Sequence, residues 1–249
     1  MRPYRLAPRV RVCIAGDSAV FLDLQSGSYL GLEASQATTL AEVVQEWPAT
    51  RRIPRDEPEQ TWLNASTNED ACGFADELCT RGLLVRAETE EDTTLRESAL
   101  SHRCGDEELI PWSDMRCPRI RISDIARFVR AVLTALFLIR MRPFDEVVTR
   151  CACRHSRHSA RATNLDLRKA AVLVTLYQYL RSWTFSRRGR CLLDSLALLE
   201  FLASYGLYPQ WFIGVRTRPF AAHSWVQHRH LLFNATPAFV HAYTPILVT

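Results

Sequence analysis

The eleven residues Arg190-Cys191-Leu192-Leu193-Asp194-Ser195-Leu196-Ala197-Leu198-Leu199-Glu200 constrain this chain more than any other stretch. Five of them are leucine and none is glycine or proline, a composition that favours a helix. The lead-in, Arg187-Arg188-Gly189-Arg190, is basic and contains a breaker. A helix starting at that junction carries Cys191 at its N-terminus. There the unpaired N–H groups and the helix dipole favour an anion, and the arginines act in the same direction. A reactive thiolate is therefore expected at Cys191.

A thiolate that does chemistry on an acyl group needs a base that takes and returns protons. His223 is the candidate, in Phe220-Ala221-Ala222-His223-Ser224-Trp225-Val226, a strand-like run after Pro219. A helix followed by a strand that returns to its N-terminus can bring the two side chains together. By spacing alone this is one of many pairs that eight cysteines and seven histidines allow. A buried thiol beside a satisfied core histidine is the plain alternative.

Around this centre the 249 residues divide into three stretches. Residues 1–87 read as three strands and then helices. Val10, Val12 and Ile14 alternate with Arg11 and Cys13. Ala19–Leu24 leads to the turn Gln25-Ser26-Gly27-Ser28, and Tyr29–Leu32 follows as the third strand. Helices are expected from Ser35 and from Asn68, with a short helical piece near Trp62-Leu63 and a stop at Gly82. Residues 88–118, acidic and then polar with Pro111 and Pro118, read as a linker. In 119–249 helical periodicity runs from Asp124 to Pro143 and again through Leu167–Trp183. Strands are expected at Gln210–Val215, Ala222–Gln227 and His230–Asn234. Helices followed by strands make the fold class α+β.

Composition narrows the setting. At 47% hydrophobic and 23% charged the chain is of ordinary globular type. A net charge of +4, with no dense Lys/Arg tract, gives no support for nucleic-acid binding. The longest apolar run, Ala131–Ile139, has nine residues, against the roughly 20 a membrane span requires. The start lacks the apolar core of a signal peptide. A cytoplasmic location with reduced cysteines is the expectation. Cys151-Ala152-Cys153-Arg154-His155-Ser156-Arg157-His158 invites a zinc reading, but tetrahedral sites draw on separated pairs. The arginines here would also repel a cation, so no metal is expected. His228 and His230, flanking Arg229, read as a solvated turn.

The strings Gly214-Val215-Arg216-Thr217-Arg218-Pro219-Phe220 and His223-Ser224-Trp225-Val226-Gln227, with Asn234, Pro237 and the upstream Cys191–Leu198, resemble the lasso-peptide maturation protease (B protein) family. That family has a transglutaminase-like, papain-like cysteine-protease fold. The 32-residue interval from Cys191 to His223 suits it. Ala19–Leu24 with Gly27–Leu32 resembles the PqqD-like precursor-recognition domain, a winged-helix-like β3α3 unit that some such proteases carry at their N-terminus. The resemblance implies a cysteine peptidase without a cofactor. It would remove the leader of a ribosomally made lasso-peptide precursor, and an ATP-dependent, asparagine-synthetase-like cyclase would then close the ring. The leader would add as a strand at Tyr29, Leu30, Gly31 and Leu32 and pack on the last helix near Phe74 and Leu78.

One departure stands out. The family places an aspartate directly after the residue equivalent to Asn234, and here that residue is Ala235. No acid occurs from Ser224 to Thr249. Asn234 is the candidate for orienting His223, as in Cys-His-Asn sites. An acid from elsewhere, such as Asp194, and a bare Cys–His dyad are the alternatives. The missing aspartate also motivates a non-catalytic precursor chaperone on the same fold, and the Cys–His pair alone would equally suit an acyltransferase or transglutaminase.

Overall fold

The computed structural model describes residues 3–45, 47–48, 68–87, 104–109, 119–158, 165–184 and 190–249. The chain forms two compact units, Met1–Leu100 and Ser101–Thr249.

In the first unit, strands β2 (Val10–Ala15), β3 (Ser18–Asp23) and β4 (Ser28–Leu32) form an antiparallel sheet in the order β2-β3-β4. The turns between them hold Gly16 and Gly27 at positive φ, which glycine adopts without a Cβ clash. Two further strands not expected from the sequence, β1 (Tyr4–Leu6) and β5 (Leu84–Arg86), pair antiparallel. Helix α1 (Ala34–Val43) starts in a capping box between Glu33 and Gln36. Helix α2 (Asn68–Thr80) begins where expected. The helical piece expected at Trp62-Leu63 lies outside the described residues. Phe21, Leu32, Leu40, Val43, Ala75, Leu78 and Leu84 share one hydrophobic core. Tyr4 ties β1 to α2 by donating its hydroxyl to Asp76 Oδ1 at 2.9 Å. Burial, together with this bond, pushes the Tyr4 phenol up to about 12.

The second unit holds a five-stranded sheet in the order β10-β7-β8-β9-β6: β6 (Glu107–Glu108), β7 (Gln210–Thr217), β8 (Phe220–His228), β9 (Leu231–Leu232) and β10 (Thr244–Val248). Its helices are α3 (Ile122–Met141), α4 (Phe144–Arg157), α5 (Leu167–Ser182), α6 (Cys191–Ala203) and the single turn α7 (Pro237–Val240). The expected linker therefore contains a strand. Glu107–Glu108 pairs parallel with Leu231–Leu232, and Gly105 N donates to the buried Gln227 Oε1 at 2.9 Å. Two residues of strand leave no periodicity for a sequence reading to detect.

Helix α6 is the centre of this unit. Leu193 through Leu199, then Phe201 and Leu202, are all buried, with Asp194 and Ser195 as the polar residues among them. Phe201 packs against Phe128 of α3 and Tyr177 of α5 at ring distances of 6.4 and 5.7 Å. The helix ends where Gly206 takes φ 79° and Leu207 N bonds back to Leu202 O. His228, expected in a solvated turn, is instead 7% exposed, because β8 continues through it and only Arg229 and His230 form the exposed turn. Burial pushes the His228 imidazole down, favouring its neutral form. Among the described residues no helix is long and apolar enough to cross a membrane.

Gly214 on β7 sits opposite His223 on β8. A Cβ there would lie 2.8 Å from the ring of the fully buried Trp225. Gly214→Ala is expected to destabilise the protein by about 1–3 kcal/mol through overpacking. A urea midpoint equal to that of the parent would contradict this packing.

Candidate active site

Cys191 is the first residue of α6, and Asp194 N donates to Arg190 O at 2.9 Å to close the first turn. The first amides of a helix have no acceptor within it, which makes this end of α6 electropositive. Arg190 caps the helix without a side-chain hydrogen bond. Cys191 is half-buried.

His223 lies in the middle of β8 and reaches the same cavity. Cys191, Asp194, Ala222, His223, Ser224, Asn234, Ala235, Thr236, Phe239 and Tyr243 line a space of about 470 Å³. The imidazole is held among aromatic rings: Trp225 stacked at 6.0 Å, Phe239 edge-on at 4.7 Å and Tyr243 tilted at 5.5 Å. Trp225 is fully buried and stacks on Phe212 at 5.5 Å, and its Nε1 donates to Gln227 Oε1 at 3.0 Å. It is thus both a wall behind the histidine and part of the core. The closure of Phe239 and Tyr243 around His223 is a tertiary contact that no local pattern foretells.

Asn234 follows β9 and is buried. Its Oδ1 accepts from Val226 N at 2.8 Å, and its Nδ2 donates to Asp194 Oδ2 at 3.0 Å and to Ser195 Oγ at 3.2 Å. One side chain thereby joins the hairpin after β8 to the first turn of α6. Asp194, 3% exposed, also accepts from Tyr177 Oη at 3.1 Å and lies 3.6 Å from Arg181 Nη1. The cavity thus unites Cys191, His223 and Asn234, with the methyl of Ala235 and the carboxylate of Asp194 beside them.

The other cysteines differ in setting. Burial pushes the Cys13 thiol up to about 12 and the Cys151 thiol up to about 11, and raises Cys79 and Cys104 as well. Cys117 lies outside the described residues. Helix α4 separates the Cys151–His158 cluster. Cys151 faces the core and Cys153 solvent. His155 Nδ1 is 3.0 Å from Tyr208 O, and the His158 ring stacks on Tyr208 at 4.1 Å. Among the described residues no three His, Cys, Asp or Glu side chains gather in a way that could hold a metal ion.

In the first unit, β4 is an edge of its sheet. Tyr29 and Leu30 are half-buried and Gly31 is exposed, whereas Leu32 is buried. On α2, Phe74 is half-buried and Leu78 is 1% exposed. Leu78 therefore supports the core and presents no surface to a peptide. Its position on the helix face turned to the sheet made the two roles indistinguishable by periodicity.

Helix α6 thus begins with Cys191 and packs on the sheet whose strand β8 carries His223. Residues 128–248 match the model of the transglutaminase-like superfamily, and the C-terminal part of the chain is a transglutaminase-like domain. The match spans α3 to β10 and includes both Cys191 and His223. No curated protein and no solved structure matches the chain.

A pH-dependent expectation follows from the raised thiols. A thiol whose folded value lies near 11 or 12 is protonated at neutral pH and becomes nucleophilic only as pH rises toward that value. Brief iodoacetamide treatment at pH 7.5 should modify Cys191 while sparing Cys13 and Cys151, read by peptide mass mapping. Modification of Cys13 or Cys151 at a rate matching Cys191 would contradict the assignment.

Proposed function

We propose that the protein is a cysteine peptidase that removes the leader from a ribosomally synthesised lasso-peptide precursor. The observation that carries the reading is the one cavity lined by both Cys191, at a helix N-terminus, and His223, on the adjoining sheet and held among aromatic rings. The transglutaminase-like class accommodates both peptide hydrolysis and acyl transfer. The sequence resemblance to the B proteins favours leader removal.

In this mechanism the Cys191 thiolate attacks the carbonyl of the last leader residue, and His223 carries the proton. The backbone N–H of Cys191 is the donor assigned to the tetrahedral oxyanion. His223 then gives its proton to the leaving amine, and the core peptide departs with a free N-terminus. Water, deprotonated by His223, attacks the thioester and releases the leader acid. Asn234 orients the imidazole through its amide oxygen. The freed amine is the nucleophile that a partner cyclase would join to a side-chain carboxylate.

Leader capture is assigned to the first unit. Strand β4, at the edge of its sheet, runs through Tyr29–Leu32, and an extended peptide would add there as a strand. Phe74 supplies an apolar contact on α2. Tethering the leader on the same chain raises the effective concentration of the scissile bond at Cys191.

Two variants separate capture from cleavage. Cys191→Ala should abolish leader release while leaving leader affinity unchanged, read by mass spectrometry and fluorescence anisotropy. Cleavage at the parent rate would remove the nucleophile assignment, and binding without cleavage by the parent itself would favour a chaperone. Tyr29→Asp should weaken leader binding at least tenfold, on the order of 1.4 kcal/mol, without altering the alkylation rate of Cys191. Undiminished affinity would remove β4 from the docking surface.

A further inference from the structure

The resemblance leaves the site without its acid, because Ala235 stands where an aspartate is expected. The cavity nevertheless contains a carboxylate, Asp194, one helical turn after Cys191. It is 3% exposed and reaches the residue next to Ala235, with Oδ2 3.0 Å from Asn234 Nδ2. From α5, Tyr177 Oη donates to its Oδ1 and Arg181 Nη1 lies 3.6 Å away. Arg181 is itself 7% exposed, and its Nε and Nη1 have no hydrogen-bond partner among the described residues. An otherwise costly buried guanidinium is thus placed where Asp194 is its counter-charge.

A carboxylate offers only acceptors, so it takes the NH₂ end of a neighbouring amide and excludes the oxygen end. With Nδ2 committed to Asp194 and Ser195, Oδ1 of Asn234 must point the other way, where one of its two acceptor positions meets Val226 N. We propose that Asp194 is a positioning residue. It fixes the Asn234 amide with its oxygen toward the histidine strand, and so replaces the acid missing at position 235 by acting from α6 through Asn234. The role rests on the Cys–His–Asn reading of the site. It extends that reading to Cys191, His223, Asn234 and Asp194 in series, with Arg181 and Tyr177 holding the far end.

The test compares the parent with Asp194→Asn, Asn234→Ala and the double variant. Two readouts are used: kcat and KM for leader removal, and the rate of Cys191 alkylation by iodoacetamide at pH 7.5, which needs no precursor. With asparagine at 194 the charged acceptor that anchors Asn234 Nδ2 is lost, and the amide keeps only its bonds to Val226 N and Ser195 Oγ. We expect kcat and alkylation to fall roughly tenfold or more, within the range general acid–base catalysis contributes, at unchanged KM. In the Asn234→Ala background, Asp194→Asn should cause no further fall, because the two residues act as one unit. Parent-like rates in folded Asp194→Asn, or losses that multiply in the double variant, would overturn the proposal. If thermal melting shows that Asp194→Asn does not fold, Asp194→Glu keeps the charge beside Arg181 and displaces the carboxylate by one methylene. A fall in kcat at constant KM then supports the role, and a parent kcat overturns it. Should the parent release no leader, the alkylation rates still decide the role of Asp194, separately from the substrate reading.

Discussion

The contact between Asn234 and Asp194 holds the site together. Helix α6 and the hairpin after β8 are far apart in sequence, and each could pack well with the other turned by a few degrees. The buried bonds from Asn234 Nδ2 to Asp194 and Ser195, and from Val226 N to Asn234 Oδ1, remove that freedom. Each buried polar group here is costly to leave unpaired, so the arrangement that satisfies all of them is strongly preferred. That arrangement places Cys191 and His223 on one cavity.

The rest of the second unit reinforces this geometry from behind. Helix α6 is buried on every side, which prevents it from sliding along its axis without breaking the Phe128–Tyr177–Phe201 cluster. Trp225 is wedged between Phe212 and the face of His223, and Gly214 leaves room for it. Gln227 ties Trp225 to Gly105, so residues that looked like linker brace β8, the strand that carries His223. The first unit is built on a different plan, a small sheet with β4 at one edge and its own core.

The sequence was most informative where local chemistry dictates structure. The breaker before Cys191 and the leucine-rich run after it placed a helix start at the residue where the structure has it. Alternation located β7 and β8, and glycine-bearing turns located β2 to β4. Contacts made across long sequence distances were not legible. The parallel pairing of β6 with β9, the burial of His228 and the closure of Phe239 and Tyr243 around His223 all depend on tertiary packing. The same holds for Asp194: its spacing from Cys191 was visible, but its bond to Asn234 required the hairpin to fold onto the helix. Leu78 shows the converse limit, since an apolar helix position reads alike whether it faces the core or a ligand.

The central claim is that Cys191 is a nucleophile acylated by the leader. The most direct measurement is the intact mass of the protein after brief incubation with the precursor peptide and an acid quench, followed by peptide mapping. The account predicts a species heavier by one leader acyl group, mapped to Cys191 and absent from Cys191→Ala. Leader release with no such adduct, proceeding equally in Cys191→Ala, would contradict it.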